Sequence, residues 1–599
     1  MKQIEVDVLV VGGGAGGTAA AIQAARSGAK TLLVSEFPWL GGMLTSAGVC
    51  APDGNELVAF QTGIWGAWLR ELAQRQPGGL DHAWVSFFTY EPRIGAQIFA
   101  DWVNQLPNLE WIAGKTPLEL LQQDQRVIGA RFENLVVQAK LTLDGTELGD
   151  LLALGEIPHR WGWEFQSEWG EPSAPTMPNI LTQHYPVQAP TWVVLLQDFG
   201  SNGQAPTIPA SLEANPEQFS GAWEGYSPEQ FLNYGRLSET LFMINWPQRG
   251  NDYGEGVQRL VESQQAKLEF LQEAYWYSQN FACFIQTHLG RRYGLATGIF
   301  PDVPGSLGGG AFALHPYYRE SRRLQGLVTL REQDILPLLG GRVAALPMNS
   351  DGQVEAIALG NYANDHHYPR GSIDLKSKSI RWGGRWTGTP FTIPYRALIP
   401  AQVDGLLVCE KNISVSHIAN GASRLQPVVL GIGQAAGLAA ALCVQQNCQP
   451  RDLPVRELQA ALLQDQLAPN AIVPLFNLVP SHPDWLKWQQ YYLDHPDAYP
   501  TSGDCPSLEG EIDLSSDSTV PIAVEKTLQQ FTGSFHRQGE QHYTLTLAET
   551  DQGLTQTWML VTLQPQVNEQ LQACVDGEIL TVQGWLNSAG NWLRVQAIT

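Results

Sequence analysis

An α/β fold is predicted for most of this chain, interrupted by an α+β block and followed by a small all-β domain, and three patterns predict it. A β-branched apolar run, Val6 to Val11, leads into a glycine cluster and then an alanine-rich helix. Far along the chain, the strand Gly405 to Lys411 precedes another helix rich in small residues, read as opening at Gly431. From about residue 520, apolar and polar residues alternate between glycine turns, the pattern of short strands.

The glycine cluster reads Gly12-Gly13-Gly14-Ala15-Gly16-Gly17. Gly12 permits a tight turn, Gly14 lets the backbone approach a pyrophosphate, and Gly17 lets the helix pack closely on the strand. The start of that helix, including Ala15 and Gly16, offers free N–H groups and a partial positive charge to phosphates. A second strand, Thr31 to Val34, is followed by Glu36, placed where a carboxylate accepts hydrogen bonds from ribose hydroxyls. The same carboxylate would repel a 2′-phosphate, which disfavours NADP. Strand, glycines, helix, strand and acid together make a Rossmann-like dinucleotide-binding unit. On its own it fits FAD and NAD alike.

With 599 residues the chain has room for two to four domains. Its 36 basic and 59 acidic residues give a net charge of −23, which disfavours nonspecific binding to nucleic acid or anionic membranes. Seven cysteines without CxxC spacing argue against a zinc or iron–sulfur site and against a disulfide scaffold, so no metal is expected. The nucleotide strand begins at once, with no signal peptide ahead of it. The longest apolar stretch, Val428 to Val444, contains glycines and Gln434 and reads as core rather than membrane span. A cytoplasmic protein is expected. Twenty tryptophans, dense in Trp161–Trp169 and Trp382–Trp386, are read mainly as packing.

Just after Glu36, a further glycine pair, Gly41-Gly42, precedes Met43 and Leu44. This suits a backbone passing closely beneath a flat isoalloxazine. Here the sequence resembles the FAD-dependent oxidoreductases of the two-dinucleotide-binding type, distantly similar to the fumarate reductase and succinate dehydrogenase flavoproteins. The resemblance covers roughly the first 450 residues and implies a glutathione-reductase-type FAD-binding domain. It implies that the chain returns to the cofactor at Asp144-Gly145-Thr146-Glu147-Leu148-Gly149-Asp150, making Asp144, Gly145, Gly149 and Asp150 candidate contacts. Gly145 stands where alanine is usual and Glu147 where glycine is usual. Gly431, Gln434 and Ala435 are candidate contacts at a helix start whose dipole would stabilise a reduced flavin. Relatives often attach FAD through a histidine shortly after the ribose acid. Leu44-Thr45-Ser46-Ala47 holds none, so FAD is expected to bind noncovalently.

The domains are expected at 1–154 (FAD-binding, first part), 155–335 (inserted substrate or capping domain) and 336–449 (return segment and last part of the FAD-binding domain). A helix and loop connector at 450–518 and a β-barrel or sandwich at 519–599, with the OB fold among the options, complete the chain. Pro316-Tyr317-Tyr318-Arg319-Glu320-Ser321-Arg322-Arg323 and Gly360-Asn361-Tyr362-Ala363-Asn364-Asp365-His366-His367 resemble two family segments. Arg319 and Arg322 could hold a carboxylate or a developing enolate-like charge, or could pair with Glu320 and other acids to brace a domain interface. His367 occupies the matching histidine place. His417 is the candidate for proton transfer or flavin contact, and Arg424 for an anion or the flavin edge. The expected activity is hydride transfer between a small organic substrate and FAD. With no second GxGxxG for a nicotinamide, oxygen, a quinone or a carrier protein is the expected electron acceptor. The alternative is an FAD-binding protein with a structural, regulatory or RNA-modifying role.

Overall fold

The computed structural model describes residues 2–211, 215–506, 528–547 and 556–599. The end of the expected connector (507–518) and the first residues of the expected β domain (519–527) lie outside the described residues.

The chain opens with β1 (Lys2–Val11), α1 (Ala15–Arg26) and β2 (Thr31–Ser35), followed later by β3 (Leu109–Ala113). A meander of β4 (Pro117–Gln123), β5 (Arg126–Phe132) and β6 (Leu135–Asp144) comes next. After the insertion, whose long helix is α2 (Gln264–Leu289), the chain returns through β7 (Leu406–Val408), α3 (His417–Ser423) and α4 (Gln426–Gln446). The main sheet runs β3-β2-β1-β6-β5-β4, with β7 also against β6. β6 changes partner midway: Leu135–Gln138 pair antiparallel with β5, and Thr142–Asp144 pair parallel with β7. Residues Val8 to Val11 are all but fully enclosed, as expected of a parallel strand covered on both faces.

Register decides what meets at the carboxyl edge of this sheet. Val34, Val11, Asp144 and Val408 lie in one row across four parallel strands. The residues just past that row therefore gather at one edge of the sheet: Ser35-Glu36, Gly12-Gly13, Gly145-Thr146 and Cys409-Glu410. In parallel α/β sheets this edge is where ligands bind.

α4 opens at Gln426, with Leu425 as its cap and Pro427 in its first turn, so Gly431 sits inside the helix. Proline presets the backbone angle of a first turn and sacrifices an N–H that has no partner there, which fixes the start. The glycines serve helix packing. A Cβ on Gly433 would lie 2.1 Å from the Gly16 carbonyl oxygen, and one on Gly437 would lie 2.2 Å from that of Ala20. Leucine at Gly437 is expected to force α1 and α4 apart and lower the unfolding free energy by about 2 kcal/mol, measured by urea denaturation. Among the described residues, one helix, α4, is long and apolar enough to cross a membrane, and its most apolar window is 83% buried inside the protein.

In the insertion, Val194–Asp198 is the centre of a three-stranded antiparallel sheet between Tyr293–Leu295 and Leu241–Ile244. α2 is the longest helix of this block, 26 residues. It starts at Gln264 because the Ser263 hydroxyl caps it, accepting from the Ala266 N–H at 3.1 Å, and it continues to Leu289.

The C-terminal strands β8 (Gln529–Gly539), β9 (His542–Leu547), β10 (Thr557–Val561), β11 (Ile579–Asn587) and β12 (Trp592–Ile598) close into a barrel in the order β8-β9-β10-β12-β11. Phe535, Tyr543, Leu545, Leu560, Val582 and Leu593 fill it. The barrel is fastened to the main body through Asp81, whose carboxylate accepts from Asn587 Nδ2 at 2.5 Å and Trp585 Nε1 at 3.2 Å.

Candidate functional site

A cavity of about 320 Å³ opens at the carboxyl edge of the sheet, lined among others by Gly12, Gly14, Glu36, Lys267 and His315. Glu36 leaves the end of β2 and stands exposed into it. Desolvation by the surrounding cavity walls raises the Glu36 carboxyl, against the pull of Lys267. Gly12 turns at φ +105°, and a Cβ there would fall 2.2 Å from the Gly145 carbonyl oxygen. A Cβ on Gly17 would fall 2.2 Å from the Gly12 oxygen. Only glycine permits this close crossing of two loops over the start of α1.

Gly41, at φ +106°, donates its N–H to Gly13 O and to Thr18 Oγ1, both at 3.0 Å, and so ties the second glycine pair to the first. Met43 and Leu44 are fully enclosed in the short turn that follows. Asp144 accepts from the Thr146 N–H at 3.0 Å and its hydroxyl at 2.6 Å, while its other oxygen has no partner. Burial pushes the Asp144 carboxyl up to about 7, against those hydrogen bonds. Gly149 adopts a left-handed turn that starts the short helix Asp150–Leu154. The structure thus brings together Gly12, Gly14, Glu36, Gly42, Gly145 and Asp150 around one cavity. A carboxylate at one end of the cavity and a glycine cradle over a helix start at the other match, in chemistry, the ribose and phosphate portions of FAD.

Gly431, Gln434 and Ala435 do not line this cavity. Gln434 is spent on structure, accepting from the Ile64 N–H at 2.9 Å and donating to Ala468 O at 2.8 Å. Gly431 faces Ala358, and Ala435 is fully enclosed in the core.

The remaining candidates form a second, largely buried polar network where the insertion meets the α3–α4 segment. His367 lies between two carboxylates, with Nδ1 2.8 Å from Asp252 and Nε2 3.0 Å from Asp365. Arg319 pairs with Asp252 at 3.0 Å and Arg424 with Asp365 at 3.0 Å. Arg424 also donates to the Tyr317 hydroxyl at 2.5 Å. Burial would raise the Asp252 carboxyl, but Arg319 and His367 outweigh it and hold it at about 2. Asp365 is held lower still by His367 and Arg424. Burial and Arg319 oppose protonation of His367, yet its two carboxylates prevail and raise it. The Asp365 side chain keeps 40% of its surface open, so this face of the network is reached by solvent.

His417, by contrast, has no exposed surface. Its Nδ1 lies 2.9 Å from Glu320, its Nε2 lies 2.6 Å from the Tyr368 hydroxyl, and its ring lies tilted against that of Trp163, centroids 3.9 Å apart. The same hydroxyl is 2.9 Å from His366 Nδ1, whose other nitrogen faces Ile418 O at 3.0 Å. A carbonyl accepts, so His366 Nε2 carries the proton and its Nδ1 receives the Tyr368 O–H. The Tyr368 oxygen is left facing His417 Nε2 across 2.6 Å. Burial and His417 push His366 down to about 3, consistent with a neutral ring.

The arginine cluster resolves into braces. Arg322 donates to Leu148 O at 2.9 Å and to Asp150 at 3.3 Å, joining its segment to the loop that follows β6. Arg323 has no exposed surface and pairs with Glu164 at 2.7 Å and Glu320 at 3.1 Å. Sequence reading missed Asp252, Glu164, Tyr368 and His315. His315 lines the cavity, with Nε2 3.0 Å from the Ser46 hydroxyl, and the proline-led segment beginning one residue later was the signal available for it.

A family model described as FAD dependent oxidoreductase matches residues 7–462. No curated protein matches the sequence. Among solved structures, similarity is found to a geranylgeranyl bacteriochlorophyll reductase-like protein from Thermoplasma acidophilum, at 11% identity and TM-score 0.30, over 77% of this chain and 84% of that one. The myxobacterial chondrochloren halogenase, described as a variant of FAD-dependent halogenases, is similar at 15% identity and TM-score 0.25, over 49% and 61%. Thioredoxin reductase of T. acidophilum is similar at 21% identity and TM-score 0.16, over 28% and 40%.

Proposed function

Because the chain belongs to the FAD dependent oxidoreductase family, we propose that it transfers hydride between a small organic substrate and noncovalently bound FAD. The observation that carries this reading is the single row of strand ends that gathers Glu36, Gly12, Gly14 and Gly145 around one cavity. In this reading Glu36 holds the ribose hydroxyls, and Gly12 to Gly17 cradle the diphosphate. The turn Gly41 to Leu44, with Asp144, Gly145, Gly149 and Asp150, shapes the path onward. When bound, FAD supplies the two-electron carrier.

The protein's part is position and proton handling. Arg424 and His367 fix the half-open Asp365 carboxylate, and Arg319 fixes Asp252 behind them. His367 is the group that gives or takes a proton at the solvent-reached face. His417 acts at one remove, orienting the Tyr368 hydroxyl across 2.6 Å while Tyr368 donates its O–H to His366 Nδ1.

Anaerobic mixing of the yellow protein with a metabolite library tests the reading, because a substrate bleaches the flavin. His367→Asn is expected to slow bleaching by about 10²-fold or more while leaving FAD bound. A library that never bleaches intact, bound FAD overturns the assignment of an oxidoreductase.

A further inference from the structure

The place on α1 where a diphosphate would bind is held by the chain's own carboxylate. Val408 lies opposite Asp144, and Asp144 opposite Val11, so Cys409-Glu410 emerges beside the glycine cradle. Glu410 Oε2 accepts the Gly16 N–H at 2.7 Å, one of the first-turn donors that α1 leaves for an anion. A Cβ on Gly14 would fall 2.5 Å from that same oxygen and 3.1 Å from Glu147 Oε1. Lys411 Nζ bridges the two acids, 2.9 Å from Glu410 and 2.5 Å from Glu147. Glu410 and Lys411 have no exposed side-chain surface, so neither charge is relieved by water. Glu147 Oε1 is buried with no partner, pointed at the backbone of Gly14 and Gly42. The cluster holds one more acid than base, where a diphosphate would bring further negative charge.

We propose that Glu410, held by Lys411 and backed by Glu147, is a built-in occupant of the diphosphate seat, and that FAD binds by displacing it from α1. The inference rests on the flavoprotein reading above and adds a determinant of cofactor affinity that the glycine cradle does not contain. Binding FAD breaks the Gly16–Glu410 hydrogen bond and turns a buried carboxylate aside. Cofactor affinity is therefore a competition between two anions for one helix start. Glu147 opposes the diphosphate by charge alone, since it does not touch the Gly16 N–H.

The test is FAD binding by the full-length chain after flavin removal, followed by quenching of flavin fluorescence, with unliganded melting temperatures checking that each variant is folded. Glu410→Gly opens the seat and is expected to lower the FAD dissociation constant by about tenfold or more, the worth of one charge-assisted hydrogen bond. Glu410→Gln keeps the shape and is expected to tighten binding several-fold, so it carries the test if Glu410→Gly does not fold. Glu147→Gln removes an equal charge without freeing the N–H and is expected to gain less. Equal gains from the two glutamine variants would make charge alone the cause and overturn the occupancy. Unchanged or weaker binding in both Glu410 variants, with tight binding by the parent, overturns it while the flavoprotein reading stands. If neither the parent nor any variant takes up FAD, both fall together.

Discussion

Replacing Arg323 by leucine is expected to lower the unfolding free energy by about 3–5 kcal/mol, because it strands two buried carboxylates. Arg323 and Glu320 have no exposed side-chain surface, and Glu164 is 4% exposed. The guanidinium also donates to Val415 O at 2.9 Å and to Gly162 O, so three chain segments lose a shared donor. Burial works against the charge on Arg323, but Glu164 and Glu320 hold its pKa above the usual value. Both acids also serve α3, Glu164 by accepting the His417 N–H at 2.7 Å and Glu320 through the His417 ring. Urea unfolding of the variant gives the number. The surface pair Arg93–Glu91, at 2.7 Å but half open to water, is the control, and Arg93→Leu is expected to cost under about 1 kcal/mol. An Arg323→Leu cost as small as that control would show that the two acids find other partners or protons, and that Arg323 is not the brace of this interface.

Such a brace could not be seen in the sequence, and the reason is distance along the chain. Arg323 and Glu164 are separated by 159 residues, so the arginine cluster was readable as a cluster but its partners were not. The nucleotide unit was readable because its logic is local. Gly12, Gly14, Gly17 and Glu36 lie within one strand–helix–strand run, and each position has its own steric or electrostatic reason. Small residues in α4 were ambiguous in kind. Glycines spaced four apart suit close approach to a cofactor or to another helix, and here Gly433 and Gly437 meet α1. The signal that placed the true start was Pro427. Glu147 stood out as an acid in a glycine's place, yet its partnership with Glu410 and Lys411 depends on strand register, which residue order alone does not fix. The barrel was legible as strands with glycine turns, because alternation needs no distant partner. Its attachment through Asp81 was not.

Stability is expected to peak between about pH 4 and pH 5 and to fall on both sides, and the buried acids set both limbs. Asp252 is held at about 2, and Asp365 and Glu320 are also held below their ordinary values, Glu320 by His417 and Arg323 against its burial. Their pairing contributes stability above the unfolded carboxyl range near 4, and that stability is lost as pH falls toward 2. Asp144 goes the other way. Burial raises it to about 7, so between about pH 4 and pH 7 the folded chain keeps a proton that the unfolded chain has released. Stability attributable to Asp144 therefore declines as pH rises through that window, by about 4 kcal/mol in all. Glu410 is raised in the same direction by burial, against Lys411. His367, raised above its ordinary value, contributes fully below about pH 6.5, and that share is lost as pH rises through its folded value. Urea midpoints taken from pH 3 to pH 9 at fixed FAD concentration trace the profile. Asp144→Asn keeps the acceptor for Thr146 and removes its titration, so it should make the limb above pH 5 shallower, leaving the shares of Glu410 and His367, and exceed the parent in stability at pH 8. A parent whose midpoint holds level from pH 5 to pH 8, or an asparagine variant no more stable than it there, would mean that Asp144 is ionised in the fold and that its unpartnered oxygen is reached by water.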